Sequence, residues 1–179
     1  LEEEARIKAR FIGMLGILLD ARRKVRGRKG LMARRKLRTL NVLLTQLLNG
    51  LNISEAEECY RRFLETGERK IMVRRIKSKD RYRLCIIPHF IDELDRELTK
   101  DVGIPTQSVI TTVSSRRYKV RTGELKYAFF SYLLGREVDS KTITHMLRLK
   151  SIDRMIEMFH EKLERDVPVE LANLPQEEA

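Results

Sequence analysis

A chain of 179 residues with 42% apolar side chains is long enough for one packed core and does not require a second domain. It has no run of 18 apolar residues and no signal-peptide pattern, so nothing marks it as membrane-spanning or secreted, and its start at Leu1 leads us to expect a fragment or domain of something longer. Against 26 Asp and Glu stand 37 Lys and Arg, a net charge of +11 that favours a polyanionic partner, nucleic acid well ahead of an anionic membrane surface.

Residues 2–22 open with Glu2, Glu3 and Glu4 and then set Ile7, Phe11, Leu15, Leu18 and Leu19 on one face, the pattern of an amphipathic helix with a favourable negative start. The segment 22–38 carries ten Lys or Arg, and no acid occurs from 21 to 54. Gly27 and Gly30 break it into a loop that runs into a strongly apolar helix over 39–50, closed by Gly50. Ser54 is placed to cap a third helix, with Glu57 completing a capping box. From 69 to 87 the period changes to alternation with β-branched ends, which predicts a hairpin turning at 78–80. Pro88 ends it, and a helix follows to Lys100. Residues 103–105 form a loop, and 107–118 fit either strand or helix, with helix favoured. Thr122 caps a helix over 123–134, 135–139 turns, Ser140 caps a helix to Leu149, and 152–166 is the last long helix. The tail 167–179, with two prolines and Glu170, Glu177 and Glu178, is expected to be extended or mobile. The expected fold is therefore mainly α with a small antiparallel β-hairpin, an α+β domain over 1–166 followed by an acidic tail over 167–179.

Cys59 and Cys85 have no second Cys or His nearby at metal-ligand spacing, and His89, His145 and His160 are equally scattered. Two buried free thiols in a reducing cytoplasm, no metal and no cofactor are the expectations.

The order of elements resembles the catalytic domain of tyrosine recombinases, the phage-integrase family, across roughly 1–165. Gly50-Leu51-Asn52-Ile53-Ser54-Glu55 matches that family's GLRxSE turn, and Lys77-Ser78-Lys79-Asp80-Arg81 through Ile86-Ile87-Pro88 its basic hairpin. Gly123-Glu124-Leu125-Lys126-Tyr127-Ala128-Phe129 matches its HxLRHTFA helix, and Leu147-Arg148-Leu149 its LGH motif. The family reaction needs a tyrosine nucleophile, two arginines on the phosphate, a hairpin lysine and assisting histidines. At the corresponding positions this chain has Asn52, Gly123, Lys126, Leu149, and Met158 or Phe159, with Lys77 (or Lys79) alone kept in kind; no Tyr occurs over 133–179. Asn52 is neutral, Lys126 is a point charge where a planar two-pronged guanidinium fitted the phosphate, and neither Met nor Phe has a nucleophilic atom. The resemblance thus implies a recombinase fold that does not cut DNA by the family route.

What survives is charge. Three basic groups are expected to face duplex DNA on one concave stripe: Arg22, Arg23, Lys24, Arg26, Arg28, Lys29, Arg34, Arg35, Lys36 and Arg38; Arg74, Arg75, Lys77, Lys79, Arg81 and Arg83 on the hairpin; and Arg116, Arg117, Lys119 and Arg121 with Lys126. Each group also has a plainer reading, as a solvated loop, an edge strand protected by charge, or a solvated turn. The leading expectation is a catalytically inactive DNA-binding protein in an architectural, partitioning or segregation, or regulatory role, cytoplasmic and nucleoid-associated. The alternatives are a divergent active recombinase and a helical protein-interaction or RNA-binding module. The last helix and the tail are candidates for contact with a second copy or a protein partner.

Overall fold

The computed structural model describes residues 1–75, 82–103, 106–149 and 151–173. The fold is built around α2 (Leu31–Asn49), whose residues 37–49 are all buried. A helix this apolar on every side has to sit inside a layer of other helices. α1 (Glu2–Arg26) lies against it after the short turn at 27–30, and α3 (Ile53–Thr66), α4 (Glu93–Lys100) and α6 (Thr122–Leu134) cover the rest. The remaining elements are β1 (Lys70–Arg74), β2 (Tyr82–Ile86), α5 (Gln107–Arg117), α7 (Ser140–Arg148), α8 (Ser151–Asp166) and α9 (Val169–Asn173). β1 and β2 pair antiparallel with Val73 opposite Arg83, and the expected turn at 78–80 lies outside the described residues. The architecture is mainly helical with one two-stranded sheet among the described residues, as expected.

The buried polar side chains of α2 explain how its neighbours are fixed. Asn49 accepts the Ile86 N–H at 2.9 Å and donates to the Ile86 carbonyl at 2.8 Å, so it pairs with β2 as a third strand would. Gln46 donates to the Thr122 carbonyl at 3.0 Å and positions the start of α6. Asn41 accepts from Arg22 at 2.9 Å and donates to the Tyr60 hydroxyl at 3.1 Å. Asn41 and Asn49 have both ends of their amides bonded, and Gln46 is bonded through its amide nitrogen, so each favours one docking geometry.

Several expectations are corrected. The basic segment 22–38 is helical except at its centre, because Val25 and Leu37 continue the buried faces of α1 and α2 through it. Asn52 rather than Ser54 caps α3: Gly50 takes the left-handed conformation (φ 62°), the next helix begins at once, and Glu55 accepts the Asn52 N–H at 2.9 Å. A Cβ at Gly50 would come within 2.5 Å of the Phe129 ring, so α6 packs directly on that turn. Thr122 is the first residue of its helix, after Arg121, and Asp139 rather than Ser140 caps α7, accepting the Thr142 N–H at 2.7 Å. The two cysteines are not free thiols: Cys59 of α3 and Cys85 of β2 form a disulfide. The start of the tail is not extended: it forms α9 and packs on the fold. Ala172 is fully buried, its carbonyl accepts from Arg22 at 3.2 Å, and His89 bonds the Val167 carbonyl. Residues 174–179 lie outside the described residues. Among the described residues no helix is long and apolar enough to cross a membrane.

Candidate nucleic-acid interface

A cleft of about 670 Å³ opens where the α2–α3 turn, the end of β1 and the starts of α6 and α7 meet. Asn52 and Glu55 line one wall, Gly123, Lys126 and Tyr127 another, and Ser140, Thr144 and Arg148 of α7 a third, with Arg75 at the root of the hairpin. The turn at Gly50 swings Asn52 toward α6, where Lys126 Nζ donates to Asn52 Oδ1 at 3.3 Å. Arg75 donates to the Leu147 carbonyl at 3.3 Å and joins the hairpin to α7.

The electrostatics of the cleft are lopsided. Among the described residues Arg75, Lys126 and Arg148 bring three positive charges to it, and the one lining carboxylate, Glu55, is occupied by the Asn52 N–H. The first turn of α6 adds the partial positive charge of a helix N-terminus, and Gly123 has no side chain there to cover it. Hydroxyls of Ser140, Thr144 and Tyr127 complete a lining suited to phosphate oxygens. Among the described residues no three His, Cys, Asp or Glu side chains gather as a metal site.

The positions matched to the recombinase pattern are only partly brought together. Asn52, Gly123 and Lys126 line this cleft. Lys77, Lys79 and Arg81 lie outside the described residues. Leu149 is exposed beyond Arg148 and does not line the cleft. Phe159 is buried on another side of the fold, edge-on to Phe129 at 5.1 Å and to Phe11 at 6.2 Å, and Met158 is exposed beside that cluster. Arg148 was legible only as the middle of the LGH match, and nothing in the sequence singled it out as a charge in the cleft.

The expected basic stripe is thinned. Arg22 is fully buried and bonds Asp95 at 2.6 Å, Asn41, and the Phe90 and Ala172 carbonyls. Burial pulls the Arg22 pKa down and pushes the Asp95 carboxyl up, and the attraction between the two opposes both shifts. Arg38 is buried and donates to the Val102 carbonyl at 2.8 Å. Arg83 is buried, donates to the carbonyls of Asn49 and Gly50 that end α2, and lies over the Phe130 ring at 5.5 Å. Burial lowers its pKa to about 10, which leaves it charged at neutral pH. These three arginines serve the core and do not reach a ligand. Arg26 is engaged with Asp92 and Asp95, Lys24 pairs with Asp20, and Arg23 is half-buried. Arg28, Lys29, Arg34, Arg35, Arg74, Arg116, Arg117, Lys119 and Arg121 are exposed, and Lys36 and Arg75 are half-buried.

Among known proteins, one of the Acidianus two-tailed virus named "Putative integrase ORF241" is 30% identical over 120 residues, which is 64% of this chain and 48% of that protein. The chain thus spans about half the length of the relative it matches. No family model and no solved structure matches it. The chain is similar to a protein named as an integrase, the relationship that the motif order over 50–149 pointed to.

Proposed function

We propose that this is a DNA-binding protein with a catalytically inactive tyrosine-recombinase-like fold, holding duplex DNA largely through phosphates in an architectural, partitioning or regulatory role. The observation that carries this reading is the meeting of Asn52, Gly123 and Lys126 in one cleft with Arg75 and Arg148 beside them. Positions far apart in sequence share the cleft and bring cations and hydroxyls to it, and a viral protein named as an integrase is 30% identical over 120 residues, which supports this reading. Inactivity is inferred from side-chain chemistry. Asn52 lacks a charge, and loss of one preorganised donor alone slows such reactions by about 10²–10³. Phe159 has no hydroxyl and is packed into the core.

Fluorescence anisotropy with a labelled duplex at two salt concentrations tests the binding. Affinity is expected to fall steeply with salt, by about 0.9 in log Kd per log unit of salt for each phosphate contact. Arg75→Ala, Lys126→Ala and Arg148→Ala should each reduce that slope by about one contact for every sequence tried alike. Binding that ignores salt, or no binding at all, defeats the proposal.

One observation favours the alternative of an active divergent recombinase: Tyr127 is exposed and lines the same cleft as the three cations. A nicked suicide duplex separates the two readings. We expect no covalent protein–DNA adduct, and an adduct abolished by Tyr127→Phe establishes the enzyme instead.

A further inference from the structure

A second groove, of about 370 Å³, runs between the first half of α2 and α5. Met32, Val109 and Val113 give it apolar walls, Thr39 and Gly103 also line it, and Arg35, Lys36 and Arg117 stand around it. Met32 is 64% exposed and Val109 49%, although both are apolar, and Leu31 next to Met32 is exposed too. No carboxylate lines the groove, and none of Arg35, Lys36 and Arg117 takes part in an ion pair among the described residues.

The two halves of this lining ask for one kind of occupant. A phosphate backbone is served by the cations but gains nothing from an apolar floor, against which its charges lose hydration. A purely apolar segment is served by the floor and ignores the rim. An amphipathic segment with acids flanking an apolar stripe uses both, and the space between two helices fits a third laid along them. Met32 and Thr39 are seven positions apart, about 10 Å of helix, so the groove spans about two turns of such a segment. We propose that the α2–α5 groove docks an acidic amphipathic helix of a protein partner. Its apolar side seats on Met32, Val109 and Val113, and its carboxylates meet Arg35, Lys36 and Arg117. This surface is separate from the cleft at the other end of α2 and shares no lining residue with it.

The test uses two labelled peptides of about four helical turns with equal numbers of Glu, one with Leu at helical spacing along one side and one with Ser in those places. The full chain is expected to bind the Leu peptide at least about tenfold more tightly than the Ser peptide. Val109→Asp, an exposed position whose change leaves the core intact, should remove that preference while duplex-DNA affinity stays unchanged. Arg35→Glu with Arg117→Glu should weaken the Leu peptide further. Circular dichroism of each variant confirms that the fold persists. Equal affinity for the two peptides, no binding of either, or an unchanged preference in Val109→Asp overturns the proposal. Equal loss of DNA and peptide binding in Val109→Asp also overturns it, because the groove is then a nucleic-acid surface. Since Val109 and Met32 are remote from Lys126, failure here leaves the DNA-binding reading standing, and failure of DNA binding leaves this one standing.

Discussion

His160 shows how one buried side chain ties the stability of this protein to pH. Its Nε2 bonds the Leu48 carbonyl at 2.9 Å and Asn49 Oδ1 at 3.2 Å, and burial pushes its pKa down to about 3. Above about pH 6.5 the ring is neutral in both folded and unfolded chains. Below that value the unfolded chain takes up a proton that the folded one refuses down to about pH 3, so stability falls as pH falls. The loss is about 1.4 kcal/mol per pH unit in this window. His160→Gln, which keeps an N–H for Leu48, should flatten the urea midpoint between about pH 6.5 and pH 5; an unaltered slope contradicts this account. Arg22 makes a second point at the same scale. Arg22→Met leaves the buried Asp95 carboxylate with Arg26 as its remaining cation and should cost up to about 3 kcal/mol, and adding Asp95→Leu should return part of it. Equal destabilisation by the single and double changes would show that the pair itself stabilises the fold. Charge reversal at Arg38 belongs with these core changes and would unfold the protein rather than report on DNA.

At the scale of elements, the hairpin is fastened to the helices by three unlike devices. Asn49 pairs with Ile86, Arg83 ends α2, and the Cys59–Cys85 disulfide joins β2 to α3. The cysteines are 26 positions apart, so the cross-link removes loop entropy worth about 3.5 kcal/mol from the unfolded chain. Cys59→Ala with Cys85→Ala should lower stability by about that amount, adjusted for the small cavities left, and a reducing agent should destabilise the parent protein but not the double variant. Loss of hairpin order is not expected, because the other two devices remain. The sequence showed the helices and the hairpin through apolar period and glycine punctuation. It did not show the disulfide, because two cysteines 26 residues apart carry no information on whether their elements touch. Cap positions slipped by one or two residues at α3 and α7 because Asn52 and Ser54, and Asp139 and Ser140, can all cap and packing chooses among them, and at α6 the helix takes in Thr122 with no side-chain cap at Arg121.

For the whole molecule, the decisive length is that of α2. Nineteen residues make a rod about 28 Å long, with the cleft at its C-terminal end and Arg28, Lys29 and Arg34 at the other. On the DNA-binding reading, a duplex touching both ends must extend over about eight base pairs. Arg28→Glu with Lys29→Glu should therefore weaken binding of a long duplex and leave one shorter than about eight base pairs unaffected, as titrations of the two will show. Equal weakening of both would place these residues next to the cleft and contradict the separation.

The sequence alone determined the helical periodicity, the hairpin, the excess of positive charge and an order of motifs that resembles the recombinase pattern. These are local or summed properties, and they are read without knowing what touches what. Only the tertiary structure decided which arginines are ligands for the core and which face solvent. Arg22, Arg38 and Arg83 look no different in sequence from Arg28, Arg34 and Arg35, yet the first three are buried and bonded to carbonyls or a carboxylate, whereas the other three are exposed. A guanidinium can be satisfied by water or by a ring of buried acceptors, and those acceptors come from segments as distant in the chain as Phe90 and Ala172. Their meeting is a property of the fold, and no window of sequence contains it.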